Sequence, residues 1–495
     1  MRLSLGASRQ RLVRQLLTES LLLAGMGGAL GLVLATVGAE VLVGMVSGDQ
    51  IALRLSPDRR ILAFTLGVSL LSGILFGLAP ALRGTRQDLQ HTLKESTRAG
   101  GGRRSRAAKG LVAAQIAVSV VLLVGCGLFL RTLYNLKAQT VGYDRTNLIL
   151  MRLDPVAAGY KGDDISRAVL EVMHRIAPLP GVQGATFSEN GLFSGTESGA
   201  TMEVEGFKAT SDEDRTARFD QAGPGYFTTI GVPIVLGRDF TERDVPGAPR
   251  VTVINDTMAR FYFPNQNPIG KHIKDTGPSD LVLEIVGVAR DTQDHDLRDK
   301  PPRRFYVSYM QPIDGVTTVN FEIRAGSSPG QLFGPLRDVV QRFDPRLQVL
   351  SLKTAQALID ENIISERLTA KLSTFFGALA IVLAGIGLYG VMSYTVARRT
   401  SEIGVRMALG ASQSAVSTMI LREILGLVAL GSIIGAIAAL GLARFVESLM
   451  FGLKPHDPAT VIGSVALLLL IGLLAGYLPA RRASRIDPLV ALRSE

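Results

Sequence analysis

Few residues in this chain are placed to do chemistry, and they are scattered. The densest polar group is Asp291, Asp294, His295 and Asp296. Such a group could hold a divalent cation, but its spacing is that of neither a zinc site nor a calcium loop. A solvated loop is the plainer reading. The other histidines of that region, His174 and His272, stand far from it and pair with no nucleophile. Phosphate binding needs a glycine-rich loop closed by Gly-Lys-Ser/Thr. The nearest approach, Asn265-Gln266-Asn267-Pro268-Ile269-Gly270-Lys271-His272, lacks the first glycine and the final hydroxyl. The residues therefore point to no catalytic group, no cofactor and no metal, and the chain reads as a non-enzyme. Two carboxylates differ in kind. Glu19 and Glu423 each lie near one end of a long apolar run, and an acid in a membrane segment is a functional candidate by default. Each also lies near a basic boundary. Snorkelling to the membrane surface, or bonding to a neighbouring helix, is the plainer reading.

The remaining candidate is a short mixed stretch between two apolar runs, Ser401-Glu402-Ile403-Gly404-Val405-Arg406-Met407-Ala408-Leu409-Gly410-Ala411-Ser412. Glu402 and Arg406 are four residues apart, so a helix puts both on one face in the favourable order. It reads either as an amphipathic connector at the membrane surface or as a docking element for a soluble partner. The chain opens on a second copy. Shifted by 404, Arg2 falls on Arg406, Leu5-Gly6-Ala7-Ser8 on Leu409-Gly410-Ala411-Ser412, Glu19 on Glu423, Gly27 on Gly431 and Gly31 on Gly435. Shifted by 399, Gly73 and Gly77 fall on Gly472 and Gly476, and Pro80-Ala81 on Pro479-Ala480. A repeat of this length is a property of the fold. Its four Gly-x3-Gly pairs suit close helix crossings.

These stretches are positioned by apolar helices. A hydrophobic fraction of 47% and a mean hydropathy of +0.27 are high for a soluble chain. The excess collects in six runs, near residues 17–43, 61–82, 111–133, 375–396, 424–445 and 461–478. Each is long enough to cross a hydrocarbon layer of about 30 Å, which takes about 20 helical residues. The net charge of +10 lies beside these runs, which argues for a membrane surface and against nucleic acid as partner. The first run is too long, and lacks the small-residue end, for a cleaved signal peptide. The lone cysteine, Cys126, reads as a small buried residue. Basic residues precede the first run, separate the second from the third, and follow the fourth and the sixth. With six spans all four basic segments share one side, the cytoplasm, together with both termini.

The segment near 135–366 is then extracytoplasmic. Residues 147–153, 251–255, 284–288, 305–307 and 319–324 read as strands, and 164–176 and 332–343 as helices. Residues 211–214 and 276–279 read as loops. The texture suggests a two-part domain, with about 201–299 inserted between outer pieces at about 140–200 and 300–365.

The stretch Glu402-Ile403-Gly404-Val405-Arg406-Met407-Ala408-Leu409-Gly410-Ala411 resembles the coupling segment of the FtsX/MacB-like permeases of ABC transporters. Pro224-Gly225-Tyr226-Phe227, Gly237-Arg238-Asp239-Phe240 and Val286-Gly287-Val288 resemble phrases of that family's external domain. The resemblance implies an α-helical polytopic membrane protein with six transmembrane helices and one large extracytoplasmic α+β domain. It implies a partial FtsX-like unit at 1–95, a basic cytoplasmic linker at 96–110 and a transmembrane helix at 111–134. A MacB-like periplasmic α+β domain follows at 135–366, then an FtsX-like permease domain with three helices at 367–495. The doubled layout resembles the duplicated orphan permeases of the group, with the first unit lacking its leading helices and external domain. The implied function is a multi-pass permease subunit in a bacterial plasma membrane. It would couple hydrolysis by a separate ABC ATPase to movement of the external domain, for efflux or mechanotransmission. A second permease copy or another envelope protein is a further implied partner. The expected ATPase contact is Glu402, Ile403, Gly404, Arg406, Ala408, Leu409, Gly410 and Ala411. The other reading is a non-transporting membrane regulator or scaffold whose external domain binds a partner. Cysteine labelling on a Cys126→Ala background tests the topology. Probes should reach Ser211 from outside and reach Ser105 and Ser484 only after permeabilisation; external labelling of either of the latter overturns it.

Overall fold

The computed structural model describes residues 9–46, 58–85, 102–277, 281–313, 315, 318–453 and 457–484. Two compact units emerge, Met1–Leu133 with Glu366–Glu495, and Tyr134–Ser365. The first unit is helical. Its helices are α1 (Arg9–Val46), α2 (Arg59–Thr85), α3 (Gly102–Ala138), α9 (Ile364–Arg398), α10 (Thr400–Ala408), α11 (Gln413–Ala443) and α12 (Pro458–Ala483); α4 to α8 belong to the second unit. Among the described residues, five helices are long and apolar enough to cross a membrane, within α1, α3, α9, α11 and α12. The expected span at 61–82 falls in α2, a helix of 27 residues. Long apolar runs take this form because only a helix or a closed barrel satisfies its own backbone in lipid. Capping fixes where two of them start. Ser412 accepts a hydrogen bond from the Ala415 amide, and Asp457 accepts one from the Thr460 amide, with Pro458 opening α12.

The helices pack backbone to backbone through glycine. A Cβ built on Gly431 would lie 2.8 Å from the Ala113 carbonyl oxygen, and one on Gly435 would lie 2.6 Å from that of Ala117. Both glycines therefore seat α3 on α11. On the other side of α11, α12 approaches through Gly472 and Gly476, whose Cβ positions would strike Val428 and Ile424. The first copy repeats half of this. Gly73 of α2 faces Leu21 and Ala24 of α1, and Ala24 is the repeat equivalent of Val428. Gly27 and Gly31 depart from expectation: a Cβ on either meets nothing within 4 Å. The surroundings of Gly77 lie outside the described residues. The core is continuous from Val112, Ile116 and Val120 to Leu388, Ile424 and Leu468.

The second unit is α+β. Its outer sheet is antiparallel, ordered β11 (Val349–Thr354), β1 (Leu148–Leu153), β10 (Val319–Ala325) and β2 (Val182–Ser188). Helices α4 (Asp163–Ile176) and α7 (Phe333–Phe343) pack their apolar faces into the core beneath it, and α8 (Ala355–Asn362) follows β11. The inner strands are β3 (Ser198–Val204), β4 (Thr216–Ala222), β6 (Val251–Asn255), β7 (His272–Asp275), β8 (Val282–Ala289) and β9 (Arg304–Ser308), with α5 (Tyr226–Ile230) and α6 (Asp256–Tyr262) between strands. Strand β4 pairs β3, which pairs β7, then β8, β6 and β9, and β9 returns to β4 in parallel. Six strands thus close a small barrel, filled by Met202, Phe219, Ile254, Ile273, Ile285 and Phe305. Strand β5 (Ile234–Gly237) adds to β8 outside the ring. The two parts share one hydrogen-bonded network through the pair Ser188↔Ala222. The expected boundary at residue 300 needs correction. Strand β9 closes the barrel, so the inner part runs past 300, and β3 begins it at Ser198.

Gly435→Val should cost about 1–3 kcal/mol by overpacking, because the opposing atom is backbone and cannot rotate away. Thermal unfolding of the detergent-solubilised chain should show the loss, while Gly27→Val in the same chain leaves the midpoint unchanged.

Candidate functional site

The stretch at residues 400–408 forms a helix with a held face and an open face. Ile403 is 2% exposed and joins the bundle core with partly buried Met407, and Gly404 is buried beside it. Val405, Arg406 and Ala408 lie on the exposed side, and Leu409, at the tip, is 83% exposed. Gly410 ends the helix with φ +93°, a left-handed conformation that favours glycine. Its amide bonds to the Met407 carbonyl, and the Ala411 amide to that of Arg406. The chain then re-enters a helix at the Ser412 cap. The Arg406 guanidinium reaches the Met419 sulfur of α11 at 2.9 Å. The side chain of Glu402 lies outside the described residues, as do Arg2 and Gly6 of the first copy.

Glu423 anchors this end of the bundle. Its carboxylate accepts from Lys109 of α3 and, at 3.2 Å, from Arg399 at the junction of α9 and α10. One acid therefore ties three helices where α10 begins. Bonding to neighbouring helices, rather than snorkelling, is the role the structure gives it. Glu19, its repeat equivalent, is exposed and accepts only a local bond from Gln15 among the described residues, at 3.1 Å. At the opposite end of α3, Arg131 bonds the α12 cap Asp457 at 2.6 Å. Arg482 donates to the Tyr389 hydroxyl, joining α12 to α9.

In the α+β unit the polar cluster is not the solvated loop expected. Asp294 is buried and paired with Arg304 of β9. Asp291 accepts from the amide and hydroxyl of Thr257, each at 2.8 Å. Arg304 also reaches Glu197 at 3.2 Å. A cleft of about 230 Å³ opens there, lined by Glu197, Arg218, Asp294, His295 and Arg304. Deeper still, at the seam between the two parts, lie carboxylates that the sequence reading missed. Glu189, Asp220 and Glu322 are buried. Asp220 accepts from the Asn190 amide at 2.9 Å, Gln221 donates to Glu189 at 2.6 Å, and Ser188 donates to Glu322 at 2.7 Å. Burial pushes Asp220 up to about 7 and Glu322 well above the carboxylate range, and it raises Asp294 against the pull of Arg304. No periodicity marks these residues, since Asp220 and Glu322 sit in strands that the fold buries on both faces and Glu189 in the bend after β2. The loop that approximates a phosphate cradle is a turn between α6 and β7. There Lys271 and His272 both bond Glu205, holding that carboxyl down to about 2.

Residues 1–89 and 374–488 match the FtsX-like permease C-terminal family, and residues 110–339 match the MacB-like periplasmic core domain. The uncharacterized ABC transporter permease YknZ of Bacillus subtilis (strain 168) is 27% identical over 63% of this chain and 80% of its own length. The macrolide export ATP-binding/permease protein MacB of Azoarcus sp. (strain BH72) is 26% identical over 78% of this chain. This chain spans 56% of that protein. The crystal structure of the periplasmic region of MacB from Actinobacillus actinomycetemcomitans aligns with 47% of this chain and 97% of its own, at 15% identity and a TM-score of 0.32.

The buried Asp220 sets a pH dependence. Its folded pKa, about 7, lies above the ordinary 3.8, so its contribution is full below about pH 4 and is lost as pH rises through 7. Hydrogen exchange at the β4 amides of the whole chain, corrected for intrinsic rates, should accelerate between pH 5 and pH 8. In Asp220→Asn that added acceleration should vanish; an unchanged profile overturns the assignment.

Proposed function

Because this chain belongs to the family that joins an FtsX-like permease domain to a MacB-like periplasmic core domain, we propose that it is the membrane subunit of an ABC transporter-type system. In this reading residues 402–411 receive the stroke of a separate ATPase subunit. Helices α9 and α11 carry it to the α+β unit, which lies outside the cytoplasm. The observation that supports this best is the division of α10 into a seated face at Ile403 and Gly404 and an exposed face ending in Leu409. A connector that merely spans two helices has no use for an apolar tip in water, whereas a docking element does. The tie from Glu423 to Lys109 and Arg399 makes movement of α10 a movement of three helices.

The same reading takes α2 as a sixth span, both termini as cytoplasmic and the bacterial plasma membrane as the location. It keeps the division at 1–95, 96–110, 111–134, 135–366 and 367–495. The chain itself performs no chemistry; hydrolysis belongs to the partner, and the output is efflux or mechanical signalling across the membrane. Relatives are named for export of macrolides and of pyoverdine, and efflux is the output that this analogy favours.

Arg406→Glu should leave the chain in the membrane and cut stimulation of the partner ATPase by roughly tenfold, the effect of losing one contact worth about 1.4 kcal/mol. Gly410→Leu should act in the same direction, since φ +93° strains any side chain there. ATPase turnover of the co-purified complex is the readout. Full stimulation in both variants overturns the docking role, and failure of any ATPase to co-purify favours the non-transporting regulator.

A further inference from the structure

The seam between the two parts of the α+β unit is thin in backbone and rich in buried acid. Among the described residues the outer sheet meets the barrel at the strand pair Ser188↔Ala222. Beside it the Glu189 amide bonds the Gln221 carbonyl, and the Gly223 amide bonds that of Phe187. One carboxyl stands on each side of this join. Glu322 belongs to β10 of the outer sheet and Asp220 to β4 of the barrel, and Asp220 opposes the ionisation of Glu322. Glu322 is 0% exposed and has one donor. The Ser188 hydroxyl bonds its Oε1 at 2.7 Å, and its Oε2 has no partner among the described residues. The cations of the same sheet face do not serve it. Arg324 donates to the carbonyls of Asp144, Thr146 and Thr229, and Arg152 lies opposite Asn320 with its own Nε unpartnered. From α5 it is faced by Tyr226. Asp220 is faced by Arg304 and Tyr306 of β9, by Asp294 and Glu189, and by Tyr226 and Tyr309. Arg304 is the cation of that group, and Asp294 and Glu197 already hold it. The Gln221 Oε1 also lacks a donor. The seam thus holds acceptors in surplus, and a proton is the simplest donor that answers a buried carboxylate.

We propose that Glu322 and Asp220 form a proton-operated latch between the outer sheet and the barrel. While Glu322 keeps its proton the two parts stay seated on each other. When both carboxyls ionise, two anions face across the seam, the nearby guanidinium is already committed, and the parts separate along it. Burial raises the Glu322 carboxyl well above its ordinary 4.5. The latch is therefore closed below that ordinary value and is released as pH rises through the folded one. It belongs to the α+β unit itself and stands apart from the transport reading. On that reading, the pH it answers to is the one outside the cytoplasm.

The test measures the distance between the two parts in the whole chain. On a Cys126→Ala background, spin labels go on Asp338→Cys of α7 and Glu203→Cys of β3, both exposed positions. Pulsed dipolar spectroscopy of the detergent-solubilised chain should give one narrow distance population at pH 5, which lengthens and broadens as pH is raised to 9. Glu322→Gln keeps the size and cannot ionise, so its distribution should stay narrow throughout. Two milder variants should move the change in opposite directions. Ser188→Ala removes the one donor and should bring separation at lower pH; Asp220→Asn removes the opposing charge and should delay it to higher pH. They decide the matter even where Glu322→Gln fails to fold. Three results overturn the proposal: distances that do not change between pH 5 and pH 9 in the labelled parent, a change that survives in Glu322→Gln, or Ser188→Ala and Asp220→Asn displacing it in the same direction or not at all.

Discussion

Two carbonyl groups, those of Ala113 and Ala117, lie where the side chains of Gly431 and Gly435 would otherwise begin. The bundle depends on that approach. Lipid tails are as apolar as leucine, so burial alone gives helices no reason to associate, and close van der Waals contact must supply it. Once α3 lies against α11 at backbone distance, Lys109 reaches Glu423 and the pair can hold Arg399 as well. Arg399 immediately precedes α10, and Ile403 then falls into the core formed by the same helices. The position of the exposed tip at Leu409 is thus a consequence of two missing side chains a membrane thickness of helix away in the chain's packing scheme.

The α+β unit is governed by a different constraint. Its barrel closes through β4 and β9, and the end of β4 must serve both the ring and the outer sheet. Residues 219–222 are therefore buried on both faces, and their polar members find partners in one internal network. That network is unbalanced. Asp220 and Asp294 share the field of one buried guanidinium, Arg304, while Glu322 accepts from Ser188 and faces Asp220. Such an arrangement is tolerated only if part of it stays protonated, which agrees with the upward displacement of Asp220 and Glu322.

Much of this was legible in the sequence because apolar length and internal repetition are coarse signals. The long apolar helices and the strands read at 251–255 and 319–324 follow from run length and β-branching. Strands β2, β4 and β7 were not legible. Val182–Ser188 carries a glycine and alternates weakly, and Thr216–Ala222 holds Arg, Asp and Gln that only tertiary pairing explains. The same cause hid the seam: a buried aspartate looks like any loop aspartate until its neighbours are known. The stretch at 401–412 stands out through the repeat, whereas its held face at Ile403 and Gly404 required the packing. That Gly27 and Gly31 stand open could not be read from letters identical to those of their seated counterparts.

The sheet order also constrains how the chain reaches this state. Strand β1 is sandwiched between β10 and β11, so Ile149 pairs with Ile323 on one side and Thr354 on the other. Everything between, including the whole barrel, is made before either partner exists. The barrel in turn needs Phe219 to meet Phe305. Synthesis therefore presents a nested sequence in which the inner ring completes first and β1 waits, unpaired, for the last strands to arrive. Because such distant contacts are slow to form, β1 is for that interval an open strand edge.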